Sequence, residues 1–325
     1  MIGWYIHHHG RGHLARAESI RAQLDEPVVA LSSLPEPATH GFTDWIQLAR
    51  DDGTDAPADP SAHGRLHWVP LGHRGLARRS AEIVDWLAAH RPRVMVVDVS
   101  VEVTLLARLC GVPVVVVAMP GTREDPAHQL AYDVAERIVA AWAQPVYDPA
   151  FLHRHVEKTA FVGAISRFDG AAPAGLPEET VLVLNGAGGT VVRRGDVDAG
   201  QAAVPSLRWS GVGVPGQAWT EDVWPSLSRA AVVVTHGGQN ALAEVAAAGR
   251  PAIVVAQGRP FGEQHAVTEA LRSQGIVVGL DAWPPAEEWP TLIATARGLG
   301  GAGWQRWSTG HGAADAAAVI ASVGR

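Results

Sequence analysis

The amino-acid sequence predicts an α/β protein made of two doubly wound parallel-sheet domains. Three observations carry this prediction. At 325 residues the chain exceeds one ordinary core and suits two domains. Short apolar β-branched runs alternate with helix-period segments through both halves, the pattern of parallel strands joined by right-handed crossovers. Between the halves, residues 163–178 are dominated by Gly, Pro and Ala, as in an interdomain linker. Composition sets further bounds. Apolar residues make up 47% and charged residues 18%, which fits a globular chain and not a disordered one. The formal charge of −7 excludes the general electrostatic footprint of a nucleic-acid binder. Cys110 is the single cysteine, so a disulfide framework is excluded and a reducing cytoplasm is the default compartment. No apolar run reaches bilayer length, and no signal-peptide pattern opens the chain.

The elements follow in order. Residues 3–8 read as a buried strand, Gly10-Arg11-Gly12-His13 as the turn after it, and 14–24 as a helix. This turn satisfies G-x-G-x-x-A, with Ala15 in the last place. A dinucleotide site would also need an acidic residue at the end of the second strand, 27–31, and that strand ends in Ser32 and Ser33. Residues 51–64 form a Pro-, Asp- and Gly-rich loop, 66–71 a strand and 80–89 a helix stopped by His90 and Pro92. The strand 94–97 carries Asp98 at its carboxyl end. A helix over 101–110, a strand over 114–118 and a mostly helical 126–143 complete the first half. After the linker come a strand at 180–184, the turn Asn185-Gly186-Ala187-Gly188-Gly189-Thr190 and a strand at 206–211. A strand at 275–280 and a final helix at 315–323 close the chain.

The densest signal lies in 231–264. The apolar run 232–234 is followed by Thr235-His236-Gly237-Gly238, an Ala-rich helix over 240–248, the stop Gly249-Arg250-Pro251 and a strand at 253–255. This βαβ unit offers a helix start whose backbone N–H groups and dipole favour an anion. His236, Gln239 and Asn240 cluster at that start. Glu244 follows one turn later, and Glu263-Gln264 sit past the second strand. The combination HGGQN…E…GRP…EQ resembles the nucleotide-sugar signature of GT-B glycosyltransferases, the superfamily of UDP-glycosyltransferases and MurG.

The resemblance implies a GT-B architecture over nearly the whole chain. Two Rossmann-like domains would face a central cleft: 1–165 for the acceptor and 176–310 for the donor, with 311–325 bracing the first domain. It implies an inverting, metal-independent transfer of a sugar from a nucleotide-diphosphate sugar, UDP-linked, to an acceptor hydroxyl. No cofactor beyond that co-substrate is expected. His13, in the G-x-G-H turn, would be the general base and Asp98 the acid that orients it. Gly12, Gly186, Gly188, Gly189 and Thr190 would line phosphate turns. His236, Gly237, Gly238, Gln239 and Asn240 would hold the diphosphate. Glu244 would take the ribose hydroxyls, and Glu263 and Gln264 the donor sugar. The acceptor stays unknown: a small molecule, a glycan or a lipid-linked compound. Trp68, Arg74, Leu76, Arg78, Arg79 and Trp86 form a mixed basic and apolar patch. It is read either as a helix face packed on the core or as peripheral contact with the inner face of the membrane. His7-His8-His9 is not read as a metal site, because neighbouring strand residues point to opposite faces; His8 or His9 instead lines the acceptor cleft. A nucleotide-sugar hydrolase, an epimerase and a non-catalytic sugar-nucleotide binder are the competing readings.

Overall fold

The computed structural model describes residues 1–325 except 53–56, 187–191, 218–219, 221 and 325. The chain divides into two units. The first comprises Met1–Ala141, Pro149–Val162 and Ala313–Arg325, and the second Trp142–Asp148 and Gly163–Gly312.

The first unit contains β1 (Ile2–Ile6), α1 (Gly12–Arg21), β2 (Val28–Ser32), β3 (Asp44–Gln47), α2 (Arg74–His90), β4 (Val94–Asp98) and α3 (Val101–Leu109). It continues with β5 (Val114–Ala118), α4 (Pro126–Val134), β6 (Arg137–Ala140) and β7 (Thr159–Phe161). Its seven strands are all parallel, in the order β3-β2-β1-β4-β5-β6-β7. Every residue of β1, β2, β4 and β5 is buried, because helices cover both faces and leave no solvent side for alternation. The order reverses between β1 and β4. At such a switch point the connections diverge and open a crevice at the carboxyl ends of the strands.

Three sequence expectations fail in this unit. Residues 66–71 are not a strand; among the described residues their one pairing is an isolated antiparallel bridge between Ala58 and Leu71. The Glu102 carboxylate accepts the backbone N–H groups of His67 and Trp68 at 2.7 and 3.1 Å, and so takes up donors that a sheet ladder would use. The edge position is filled by β3, whose short polar sequence gives little periodic signal. The stretch 126–143 is not mostly helical: α4 ends at Val134, Ala135 turns extended, and Ile138 to Ala140 are buried in β6. Finally, α2 begins six residues before the expected start, where His73 Nδ1 accepts the Leu76 N–H at 3.0 Å and caps it.

The second unit contains β8 (Thr180–Leu184), α5 (Arg194–Ala203), β9 (Arg208–Val212), α6 (Trp224–Arg229), β10 (Val232–His236) and α7 (Gln239–Ala248). Then follow β11 (Ala252–Val255), α8 (Glu263–Ser273), β12 (Val278–Leu280) and α9 (Trp289–Leu299). Five parallel strands run in the order β12-β11-β10-β8-β9, which sets a second switch point between β8 and β10. Val181, Val183, Val232, Val234 and Ile253 form a core with a tryptophan cluster. Trp289 is fully buried and meets Trp209 and Trp283 edge-on at 4.9 and 5.0 Å. The last helix, α10 (Gly312–Ser322), belongs from Ala313 onward to the first unit. There Arg93 donates to the Ile320 and Val323 carbonyls and pairs with Glu26.

Trp289→Ala should lower the unfolding free energy by about 3–5 kcal/mol, because a buried aromatic leaves a cavity that rigid strands cannot close. A fall in the urea midpoint at unchanged slope checks this.

Candidate active site

The first switch point gathers charged chemistry. β1 ends at Ile6, so His7, His8 and His9 lie in the turn into α1. Gly12 and His13 open α1, and Arg16 lies one helical turn beyond His13 on the same face. β4 delivers Asp98 from the adjacent strand. Val99 then takes φ +67°, a left-handed conformation that costs a β-branched residue on the order of 1–3 kcal/mol. This kink turns the chain so that Ser100 caps α3, accepting the Val103 N–H at 3.2 Å.

Asp98 is fully buried and doubly held. His13 Nδ1 lies 3.0 Å from Oδ1; Arg16 donates to Oδ1 through Nη2 at 2.7 Å and to Oδ2 through Nε at 3.2 Å. Burial alone pushes the Asp98 carboxyl upward, but the Arg16 charge and then His13 outweigh it and hold it well below the usual carboxylate range. Arg16 Nη2 also stands 3.2 Å from His13 Nδ1. A guanidinium only donates, and the bond to a charged carboxylate is the stronger, so Nδ1 carries the proton. That leaves the Nε2 lone pair to accept one.

Beside this network lies a cavity of about 390 Å³, lined chiefly by Tyr5, His7, His8, Trp68, Ile83 and Leu106. The His7 ring sits 5.6 Å from that of His13. His7 accepts the His9 N–H through Nδ1 at 3.2 Å, and burial first, then the neighbouring histidines, pushes it down to about 3. Of the two readings of the basic and apolar patch, the structure shows the helix face packed on the core. Trp86 and Arg79 are buried, Arg79 pairs with Asp51, and Trp68 Nε1 donates to the Asp51 carbonyl at 2.6 Å; Arg74 and Arg78 remain exposed. The strand-alternation argument about the histidines also fails, since β1 stops before them. His8, His9 and Asp52 bring ligand atoms within 4.8 Å of one another, as do His67, Asp125 and His128.

The second switch point gathers the glycine turns. Gly186 follows β8 and His236 ends β10. The Gly186 N–H lies 3.1 Å from His236 Nε2, and the Gly238 N–H lies 3.0 Å from Nδ1. Burial, then Arg259, pushes His236 down to about 4, so the ring is neutral at neutral pH. A neutral imidazole has one acceptor nitrogen, so it takes only one of these two N–H groups at a time. Gly237 and Gly238 are required by close approach: a Cβ would come within 2.8 Å of the Gln264 carbonyl at the first and 2.4 Å of the His236 ring at the second. Gln239 and Asn240 form the first turn of α7, which begins without a side-chain cap.

Glu244 projects from α7 and meets Arg167 at 2.8 Å. Burial raises its pKa and Arg167 partly offsets this. Glu263 and Gln264 are not in a loop past the strand but open α8. Gln264 is buried, and its Oε1 accepts the N–H groups of Gly237 and Gln257 at 3.2 and 3.0 Å, which ties the glycine turn to the end of β11. Gly188, Gly189 and Thr190 lie outside the described residues. Arg16, Arg167 and Tyr5 are absent from the sequence reading. Helical spacing from His13 points to Arg16; no pattern in the sequence points to the other two.

Residues 205–281, from the approach to β9 through β12, match the glycosyltransferase family 28 C-terminal domain. The fold of the whole chain is similar to that of MurG from Acinetobacter baumannii, with a TM-score of 0.67 over 99% of both chains at 13% identity. It is also similar to Phytolacca americana UGT2 complexed with UDP-2-fluoro-glucose and pterostilbene: TM-score 0.61, 92% of this chain, 93% of that one, 14% identity. A spinosyn rhamnosyltransferase complexed with thymidine diphosphate matches with a TM-score of 0.61 over 99% of this chain and 97% of its own, at 16% identity. No curated protein sequence matches the chain. The chain has the GT-B fold of these neighbours. The two parallel sheets are the Rossmann-like domains that the sequence pattern implies. No helix among the described residues is long and apolar enough to cross a membrane.

Asp98→Asn leaves Arg16 buried without its countercharge and should destabilise the first unit by about 3–5 kcal/mol. The folded-state value of Asp98 lies below the unfolded one, so its contribution is complete above about pH 4 and fades as pH falls below that. In an acid titration of the unfolding free energy, the wild type should lose this increment and the variant should have none to lose.

Proposed function

We propose that the protein is a glycosyltransferase that moves a sugar from a nucleotide-diphosphate sugar, UDP-linked, to an acceptor hydroxyl with inversion and without a metal. The observation that carries this reading is the His13–Asp98 contact at 3.0 Å, clamped by Arg16, at the switch point of the first sheet. His13 Nε2 takes the proton of the acceptor hydroxyl as that oxygen attacks the anomeric carbon. The bond from that carbon to the β-phosphate oxygen breaks, its electron pair leaves with the nucleoside diphosphate, and attack from the opposite face inverts the centre. Asp98 fixes the tautomer and stabilises the imidazolium that forms.

The leaving group needs neutralisation, and the start of α7 meets that need with backbone N–H groups and the positive end of its dipole. With Nδ1 accepting from Gly238, His236 supplies Nε2–H to the β-phosphate. Glu244 accepts the ribose hydroxyls, and Arg167 partly offsets the burial that raises its pKa. Gln264 serves by holding the turn, and Glu263 stands at the start of the next helix to meet the sugar. UDP-2-fluoro-glucose and thymidine diphosphate, the ligands of the two neighbours, support a nucleotide-sugar donor. The cavity beside His13 supports transfer over hydrolysis, since a hydrolase has to admit only water.

His13→Ala should cut turnover about 10²–10⁴-fold while leaving UDP affinity intact, as measured by UDP release and by calorimetry. An unchanged rate removes His13 as base. Glu244→Ala should weaken UDP binding roughly tenfold, and undiminished affinity refutes the ribose contact. UDP released at the same rate without any acceptor would identify a hydrolase.

A further inference from the structure

Among the described residues, two groups of imidazole and carboxylate side chains in the first unit bring three ligand atoms within 4.8 Å of one another: His8, His9 and Asp52, and His67, Asp125 and His128. Their internal spacing sets them apart. In the second group both gaps to the carboxylate are closed by protons. Asp125 lies 3.0 Å from His67 Nε2 and 2.5 Å from His128 Nδ1, and Arg123 Nη1 stands 2.7 Å from His128 Nε2. A guanidinium only donates, so His128 Nε2 accepts and Nδ1 carries the proton shared with Asp125. That ring has no lone pair left for a cation.

The first group is open where the second is closed. β1 ends at Ile6, so His8 and His9 leave the strand pattern, and their rings approach to 4.3 Å. His8 is 7% exposed, and neither of its ring nitrogens has a hydrogen-bond partner among the described residues. Its Nε2 stands 3.8 Å from Asp51 Oδ1 and 3.8 Å from Asp52 Oδ2, too far for a hydrogen bond. A water bonded to both sides at about 2.8 Å would be pinched to an angle of about 85° across such a gap. An ion held at about 2.1 Å from each side spans it at about 130°, so the spacing suits a bare cation better than a water. The carboxylates are already oriented. Asp51 pairs with Arg79 through Oδ2, which leaves Oδ1 toward His8, and Asp52 accepts from Arg50 Nε at 2.8 Å through Oδ1. Hydrogen bonds of this kind hold metal-binding carboxylates in place. Arg50 is 57% exposed, so solvent screens its repulsion of a cation.

We infer that His8, His9 and Asp52 bind one divalent transition-metal ion, zinc by its ligand set, with Asp51 as the fourth ligand. Two imidazoles and two carboxylates suit zinc, whereas Mg²⁺ and Ca²⁺ take oxygen ligands. Four protein ligands with no open position make a structural site, and the ion ties residues 51–52 to the turn after β1. His13 and Asp98 are not among its ligands, and the inference does not rest on the proposed transfer.

Metal binding by the chain itself tests it. The untagged full chain, stripped with EDTA and dialysed free of it, is titrated with Zn²⁺ by calorimetry and with Co²⁺ by visible absorbance. One equivalent of Zn²⁺ should bind with a dissociation constant below about 10 μM and raise the melting temperature. Excess Mg²⁺ or Ca²⁺ should not displace it. His9 is exposed and Asp52 half-buried, so His9→Ala and Asp52→Asn should fold; each should weaken Zn²⁺ binding at least about tenfold and shrink the thermal shift. His8→Phe, which keeps a buried ring, should do the same. His67→Ala should leave the affinity unchanged. Absence of binding, or affinity unaltered in both His9→Ala and Asp52→Asn, overturns the inference. So does loss of affinity in His67→Ala, which would move the ion to the second group, or weak uptake of several equivalents, the behaviour of scattered surface histidines.

Discussion

The buried carboxylate of Asp98 is the constraint around which the first unit is arranged. An ionised group with no solvent exposure is tolerated only when countercharge and hydrogen bonds replace its hydration. Arg16 supplies the countercharge as a fork and His13 supplies a third bond, and both come from one turn of α1. Replacing a buried ion pair by packed apolar residues is often neutral or stabilising, so stability alone does not explain why the fold retains this one. Positioning does. The carboxylate fixes one nitrogen of a partly exposed histidine, and Arg16 prevents the carboxylate from taking up the proton itself. The left-handed Val99 belongs to the same arrangement: the strand must end abruptly for Asp98 to stay inside while Ser100 caps the next helix.

The second unit solves a related problem with neutral parts. His236 also closes a central strand at a switch point, but its partners are the backbone N–H groups of two glycines. A ring that can accept only one of them holds the turn in two nearly equivalent ways. Gln264 supports the same turn from α8 by bridging Gly237 and Gln257. Its identity is thus dictated by backbone donors on two segments, a burden that Glu at this position could accept but that a larger or apolar residue could not.

What the sequence made legible follows from how local each signal is. Strands such as 94–98 and 114–118 are fully buried and apolar, so their composition alone reveals them. The glycine turns at Gly12, Gly186 and Gly237-Gly238 are local as well, because each serves a strand-to-helix junction. β3 and β6 escaped notice since a four-residue strand at or near a sheet edge needs little apolar periodicity, and Ala-rich sequence around β6 reads equally well as helix. Arg16 and Arg167 were invisible for another reason. Each acquires meaning only through a carboxylate 82 or 77 residues away, and one sequence holds no record of that distance.

The failed strand at 66–71 has the largest consequence. Had it joined the sheet, its backbone N–H groups would have been used in a ladder and Trp68 would have alternated with its neighbours across two faces. Held by Glu102 and by the Asp51 carbonyl, the segment becomes one wall of the cavity beside His13. Sheets and glycine turns place His13 and His236. The cavity wall is left to an irregular segment pinned by single side-chain bonds, where exchanging Trp68 or Glu102 would reshape the cavity without disturbing any strand. The same division explains why the glycine turns are legible in one sequence whereas the walls of the cavity are not.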